Sequence, residues 1–240
     1  MDGENLYGAV WKRRSVRKFL DSQVEEEKAD ILRERISEVN GRSGLTIEFI
    51  ESGDAFRSVK TLGRFRNVRS VMVFKGRTDD PDLFEKCGYY GEELILTATG
   101  LGLGTCWVAA TFNKKSESLN VKSGEKVVCV SPVGYGSESI SETAQIPAEP
   151  HRRTISASKF LSGIGDVPPW VSEGIRSVQF APTAMNSQKA RFRYADGELS
   201  VEMPRGDLNM VDLGITKLHF ELAANGRFPL GTPSRFVTDR

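Results

Sequence analysis

The chain has 240 residues, with 33 Lys and Arg against 32 Asp and Glu, a formal net charge of +1. That balance excludes both a protein that grips nucleic acid through bulk charge and an acidic, disordered one. Its composition, 39% hydrophobic and 27% charged, is that of a globular domain. The three cysteines, Cys87, Cys106 and Cys129, form no C-x-x-C pair, and His151 and His219 stand far apart. Reduced thiols in a cytoplasmic protein with no metal site are expected. Met1–Asn5 is acidic and not followed by an apolar h-region, so no signal peptide is expected.

Taken along the chain, Ser22-x-x-Glu25 reads as a capping box. It precedes a helix carrying Ile31, Leu32 and Ile36 that should stop at Asn40-Gly41. Leu45–Glu51 alternates as a short strand does, and Ser70–Phe74 (SVMVF) reads as a buried strand. Asp82–Leu101 reads as a long, mostly apolar helix. Leu94–Asn113 contains no charged residue, but it carries Gly100, Gly102, Gly104 and four threonines. A buried helix running into a glycine-rich turn is expected there, not a membrane span. Lys126–Val133 is a second buried strand, ended by Gly134-Tyr135-Gly136.

Residues 136–151, rich in Ser, Glu, Pro and Ala, read as an exposed connection. A short helix near Thr154–Leu161 follows, then a loop from Gly163 to Pro169. Pro168-Pro169 opens a helix to about Gln179. Asp196-Gly197 between Arg191–Ala195 and Leu199–Met203 predicts a hairpin. A last helix spans about Leu208–Ala224 and ends at Asn225-Gly226. Interleaved helices and strands place the chain in the α+β or α/β class. Shifted by 126 residues, Gly88, Leu96, Ala98 and Gly100 fall on Gly214, Leu222, Ala224 and Gly226, a faint internal echo.

Four short constellations carry chemistry. In Lys12-Arg13-Arg14-Ser15-Val16-Arg17-Lys18-Phe19, an extended backbone turns Arg13, Ser15 and Arg17 to one side. Two guanidiniums flanking a hydroxyl suit a phosphate or carboxylate; a solvated basic segment is the plainer alternative. Ala181-Pro182-Thr183-Ala184-Met185-Asn186-Ser187-Gln188 offers small residues for close approach of a flat ligand, and amides that match an imide; a surface turn is the alternative. Gly100-Leu101-Gly102-Leu103-Gly104-Thr105-Cys106-Trp107 follows a helix instead of opening one, so the dinucleotide fingerprint does not apply, although its glycines can expose backbone N–H groups. His151-Arg152-Arg153-Thr154 is a second basic cluster.

Together, RRSxRxF, a helix ending GLGLGTCW, a strand ending GYG, an RR pair and AP-T-x-x-N-x-Q resemble the FMN-dependent nitroreductase family over most of the chain. The order differs from the family pattern. AP-T-x-x-N-x-Q stands in the second half, where the family has it some thirty residues after RRSxR; this resembles a tandem, single-chain branch. Thr183 replaces a serine and keeps its hydroxyl, and Lys189 replaces a proline.

The resemblance implies an α+β nitroreductase-like fold of two related halves, 1–150 and 151–240, packed as a pseudo-dimer with central antiparallel sheets flanked by helices. It implies one FMN per chain. Arg13, Arg14, Ser15, Arg17, Gly104, Thr105, Cys106, Trp107, Arg152 and Arg153 would come from the first set of motifs, and Pro182, Thr183, Met185, Asn186 and Gln188 from the second. The implied activity is hydride transfer from NADH or NADPH through the flavin to a nitroaromatic, quinone or similar small acceptor, in a cytoplasmic monomer without nucleic-acid or membrane partners. No catalytic acid or base is required, because the chemistry belongs to the flavin. A non-catalytic FMN-binding or flavin-carrier protein is the alternative.

Overall fold

The structure, a computed structural model, describes residues 3–57, 61, 63–137, 154–163 and 166–238. The helices are α1 (Gly3–Lys12), α2 (Glu26–Ser43), α3 (Leu83–Gly100), α4 (Ala157–Phe160), α5 (Pro169–Val178) and α6 (Asp207–Ala223). The strands are β1 (Glu48–Ile50), β2 (Ser70–Arg77), β3 (Gly104–Thr105), β4 (Glu125–Gly134), β5 (Leu161–Gly163), β6 (Arg191–Ala195), β7 (Glu198–Glu202), β8 (Gly226–Arg227), β9 (Ser234–Arg235) and β10 (Val237–Thr238). The chain divides into two units. Unit 1 comprises Met1–Trp11, Phe84–Glu93 and His151–Arg240; unit 2 comprises Lys12–Leu83 and Leu94–Pro150.

Unit 2 is built on an antiparallel sheet ordered β1-β2-β4-β3. Ser70 to Gly76 is buried throughout, as a strand covered on both faces must be. Helix α2 buries Ala29, Leu32, Ile36 and Val39, a spacing that keeps them on one face. Ala55, Val71, Val73, Cys106, Val108, Phe112 and Val130 form one apolar cluster. Lys75, fully buried opposite a bulge in β4 at Val128, donates to Glu48 at 2.9 Å and to the carbonyls of Leu119 and Asn120.

Unit 1 holds a sheet ordered β5-β6-β7-β9, with β5 parallel to β6 and the other pairs antiparallel, and the small pair β8–β10. Asp196 and Gly197 take φ of 54° and 78°, the left-handed pair that closes a tight hairpin between β6 and β7. Phe220 stacks on Phe192 at 5.3 Å and meets Phe228, Phe236 and Trp170 edge-on. The first half of α3 crosses α6 at two glycines. A Cβ on Gly88 would sit 2.0 Å from the Val211 carbonyl oxygen, and one on Gly214 would sit 2.1 Å from that of Glu85. The echoing glycines therefore mark the place where the two backbones touch.

Charged groups line this crossing. Lys217 donates to Glu85 and to the carbonyls of Pro229 and Gly231, and Gly231 N–H returns a bond to Glu85 at 2.7 Å. His219 Nδ1 faces the Ser177 carbonyl at 3.2 Å, and Nε2 lies 2.9 Å from Glu92. A carbonyl only accepts, so Nδ1 carries a proton and the Nε2–Glu92 contact shares another.

Several local expectations are corrected. Ser22 does not cap α2: the helix starts at Glu26, and the Glu25 carbonyl accepts its first bonds. Val24 is buried ahead of the helix, and Glu25, with ψ of 139°, is its non-helical N-cap. The helix also runs past Asn40-Gly41 to Gly44, whose φ of 72° and bond to the Asn40 carbonyl make the left-handed cap. The Asn40 side chain serves elsewhere, exchanging two 2.9 Å bonds with the Ile47 backbone. Leu161–Gly163 pairs as β5 instead of ending a helix, because the parallel ladder to β6 satisfies its backbone. Helix α1 was unexpected, although Leu6, Ala9 and Val10 bury one helical face. Cys87, Cys106 and Cys129 are free and buried. No group that could hold a metal ion, and no helix long and apolar enough to cross a membrane, occurs among the described residues.

Candidate functional site

In unit 2 the basic segment 13–20 is extended and bonded along its length. Ser15 bridges Thr105, and Val16 N–H donates to the Thr105 carbonyl at 2.8 Å. Arg66 N–H donates to the Arg17 carbonyl, and Leu20 N–H to that of Tyr135. Gly104 permits this pairing: a Cβ there would lie 2.7 Å from the Val16 side chain. The GLGLGT turn is thus strand β3 at the edge of the sheet, with the RRSxR segment laid beside it.

The Cys106 thiol gathers the cluster. Burial pushes it above its ordinary value, while Arg17, a hydrogen bond from Ser15 and Arg13 pull it down. Arg13, Ser15 and Arg17 all act electrostatically on this one sulfur. Arg13 is buried, whereas Arg14, Ser15 and Arg17 are exposed. Cys106 N–H donates to the Ser131 hydroxyl at 3.1 Å, so that amide is engaged. Trp107 stacks on Phe74 at 4.6 Å. Thr105 is 1% exposed, and its buried hydroxyl has no hydrogen-bond partner among the described residues. A buried hydroxyl without a partner carries a desolvation cost that a ligand acceptor would relieve. The donor set of two guanidiniums, the Ser15 hydroxyl and this orphaned hydroxyl is cationic and fits a phosphate.

In unit 1 the loop 181–188 follows α5 and is strained. Met185, Asn186 and Gln188 have φ of 52°, 54° and 47°, a region costly for side chains other than glycine. Its geometry is over-determined from inside. Ala184 N–H donates to both oxygens of Asp212 on α6, at 2.9 and 3.0 Å. Asn186 N–H donates to the Thr183 carbonyl, and Gln188 N–H to the Thr183 hydroxyl at 3.2 Å. The hydroxyl that threonine retains from the family serine closes the loop.

Gln188 is buried and its amide works within the unit. Its Oε1 accepts from Ile155 N–H at 2.9 Å and from the Thr154 hydroxyl, and its Nε2 donates to Asn186 Oδ1 at 2.8 Å. Pro182 is buried, Thr183 half-buried and Asn186 exposed, while Met185 is 99% exposed. The loop thus presents Met185 and Asn186 outward on a fixed backbone. Lys189, where the family has proline, reaches Asn209 at 3.1 Å. Arg152 and Arg153 lie outside the described residues. Asp212 and Ser131 were not singled out from sequence. The available signal for Asp212 was an acid within the apolar run VDLGI; Ser131 had none.

No curated protein matches the chain. Among solved structures, one described as a putative nitroreductase from Thermotoga maritima is 22% identical, covering 98% of this chain and 94% of its own with a TM-score of 0.62, which shows a shared fold. An FMN-dependent nitroreductase from Clostridium difficile is 25% identical over 54% of this chain and 87% of its own, with a TM-score of 0.46. A putative NADH oxidase from Clostridium acetobutylicum is 22% identical over 55% and 89%, with a TM-score of 0.44. The family model described as "Putative TM nitroreductase" matches residues 5–224. With nearly the whole chain inside that match, and with an α+β nitroreductase fold, the protein belongs to this nitroreductase family.

Proposed function

We propose that the chain is an FMN-dependent oxidoreductase that accepts hydride from NADH or NADPH and reduces a small acceptor of the nitroaromatic or quinone type. The observation that carries this reading is the cluster around Cys106. Arg13, Ser15 and Arg17 all act electrostatically on its thiol, and Ser15 pairs with Thr105, whose buried hydroxyl has no hydrogen-bond partner among the described residues. FMN, when bound, supplies the hydride acceptor and donor. Arg13 and Arg17 hold its phosphate through charge-assisted bonds, each worth about 1.5–3 kcal/mol, with Ser15 and Thr105 as hydroxyl donors. In unit 1, Asp212 and Thr183 hold the loop 183–188 on a fixed backbone, with Asn186 exposed. Burial keeps the Cys106 thiol protonated, which leaves it a packing group and not a nucleophile.

Both residue sets lie in one chain, so one FMN per 26.6 kDa chain is part of the proposal. An absorbance spectrum of the purified protein, followed by FMN titration of the apo-protein, tests it. Oxidised-flavin absorption at one FMN per chain, bleached by NADH or NADPH, is expected. A chain that refuses FMN refutes the reading, and one that binds FMN but is bleached by neither coenzyme is a flavin carrier.

A further inference from the structure

Two stretches of the chain, Lys12–Leu20 and Ala55–Arg69, hold ten Lys and Arg and no Asp or Glu. The chain as a whole is balanced, so positive charge is concentrated in these stretches and the remaining residues are net acidic. The fold of unit 2 lays Arg66 and Asn67 beside Arg17–Phe19. Arg66 N–H donates to the Arg17 carbonyl at 3.0 Å, Phe19 N–H donates to the Arg66 carbonyl at 3.1 Å, and the Asn67 amide reaches the Phe19 carbonyl. Asp54 neutralises Arg57 and Asp21 neutralises Arg69. Arg14, Arg17, Arg64 and Arg66 are exposed and have no acidic partner among the described residues.

Like charges held on paired segments repel, and an anion shared between them relieves that repulsion. One flavin phosphate is matched by the Arg13, Ser15 and Arg17 set around Cys106. Arg64 and Arg66 are surplus to it, and backbone bonds join Arg66 to the Arg17 segment. Exposed guanidiniums without acids suit a second phosphate, which they can bind in a bidentate manner. A single-stranded nucleic acid would need stacking surfaces. The aromatic rings available here are already used: Phe19 is buried, and Phe65 packs against Phe56 at 4.9 Å.

We infer that Arg64 and Arg66 form a second phosphate site that takes the adenosine 2′-phosphate of NADPH, so that this chain uses NADPH in preference to NADH. The coenzyme role rests on the flavin reading above; the phosphate site itself does not.

The test titrates the wild-type apo-protein with 2′,5′-ADP and with 5′-AMP, then repeats it with the double variant Arg64→Ser and Arg66→Ser. The expected result is that 2′,5′-ADP binds at least tenfold tighter than 5′-AMP and that the variant loses this margin. In the flavin-loaded protein, the ratio of kcat/KM for NADPH over NADH should exceed ten and fall at least tenfold in the variant, with FMN affinity within twofold of wild type. Equal binding of the two nucleotides, or an unchanged coenzyme ratio in the variant, overturns the inference. A parallel loss of FMN affinity also overturns it, by assigning the arginines to the flavin phosphate. If FMN does not bind but 2′,5′-ADP does, the proposed function fails and the phosphate site stands.

Discussion

Both carboxylate oxygens of Asp212 accept the backbone N–H of Ala184, at 2.9 and 3.0 Å. One buried acid on α6 thereby fixes the start of a loop in which three residues adopt left-handed backbone. Such strain persists only where surrounding bonds over-determine it. Asp212→Ala should therefore loosen the loop and weaken FMN binding about tenfold, on the scale of one charge-assisted bond. Asp212→Asn keeps an acceptor oxygen and should lose less than threefold. Fluorescence quenching of FMN reads both variants, and wild-type affinity in Asp212→Ala would show that Thr183 alone holds the loop.

Arg13 is the buried member of the proposed phosphate clamp. Arg13→Ala should weaken FMN binding roughly ten- to a hundred-fold, about 1.5–3 kcal/mol. Titration of the apo-variant measures this, and an unchanged dissociation constant would reduce Arg13 to a packing role.

The crossing of α3 and α6 leaves no room for a methyl group at Gly214, where a Cβ would meet both the Glu85 carbonyl oxygen and the Tyr89 nitrogen. Both obstacles are backbone, so the helices themselves must separate. Gly214→Ala should cost about 1–3 kcal/mol or more. Thermal unfolding followed by circular dichroism tests this; a midpoint equal to wild type would mean that the helices part freely.

Burial pushes Glu221 up to about 7, against the partial relief of bonds from Phe228 N–H and the Tyr89 hydroxyl. The folded state then holds this proton more tightly than the unfolded chain does, whose carboxyl has the ordinary value of 4.5. Unfolding releases the proton in between, so stability falls as pH rises from about 4.5 to about 7. Glu221→Gln preserves an acceptor and cannot titrate. Denaturant midpoints measured at pH 5 and pH 8 should drop more in wild type than in the variant, and identical drops would remove Glu221 as the cause.

If one open flavin face serves both substrates, coenzyme and acceptor must take turns. Initial rates with NADPH and a quinone should give parallel double-reciprocal lines. Intersecting lines would require both substrates to be bound together.

What the sequence by itself determined about this protein is local. The apolar run SVMVF had to be a strand covered on both faces, because a continuous apolar stretch has no side to offer water. Asp196-Gly197 had to close a hairpin, since both positions need left-handed backbone. Gly88 and Gly214 were visible as an echo, and the motif order carried the family resemblance. Tertiary structure decided what depends on residues far apart in the chain. Nothing near Gln188 shows that its amide binds Thr154 and Ile155, 34 and 33 positions away, and no local pattern pairs Arg17 with Arg66. Asp212 reads as a stray acid until α6 brings it to Ala184. Periodicity records which faces are apolar, whereas a buried polar group is explained only by the partner that satisfies it, and chain folding alone supplies that partner.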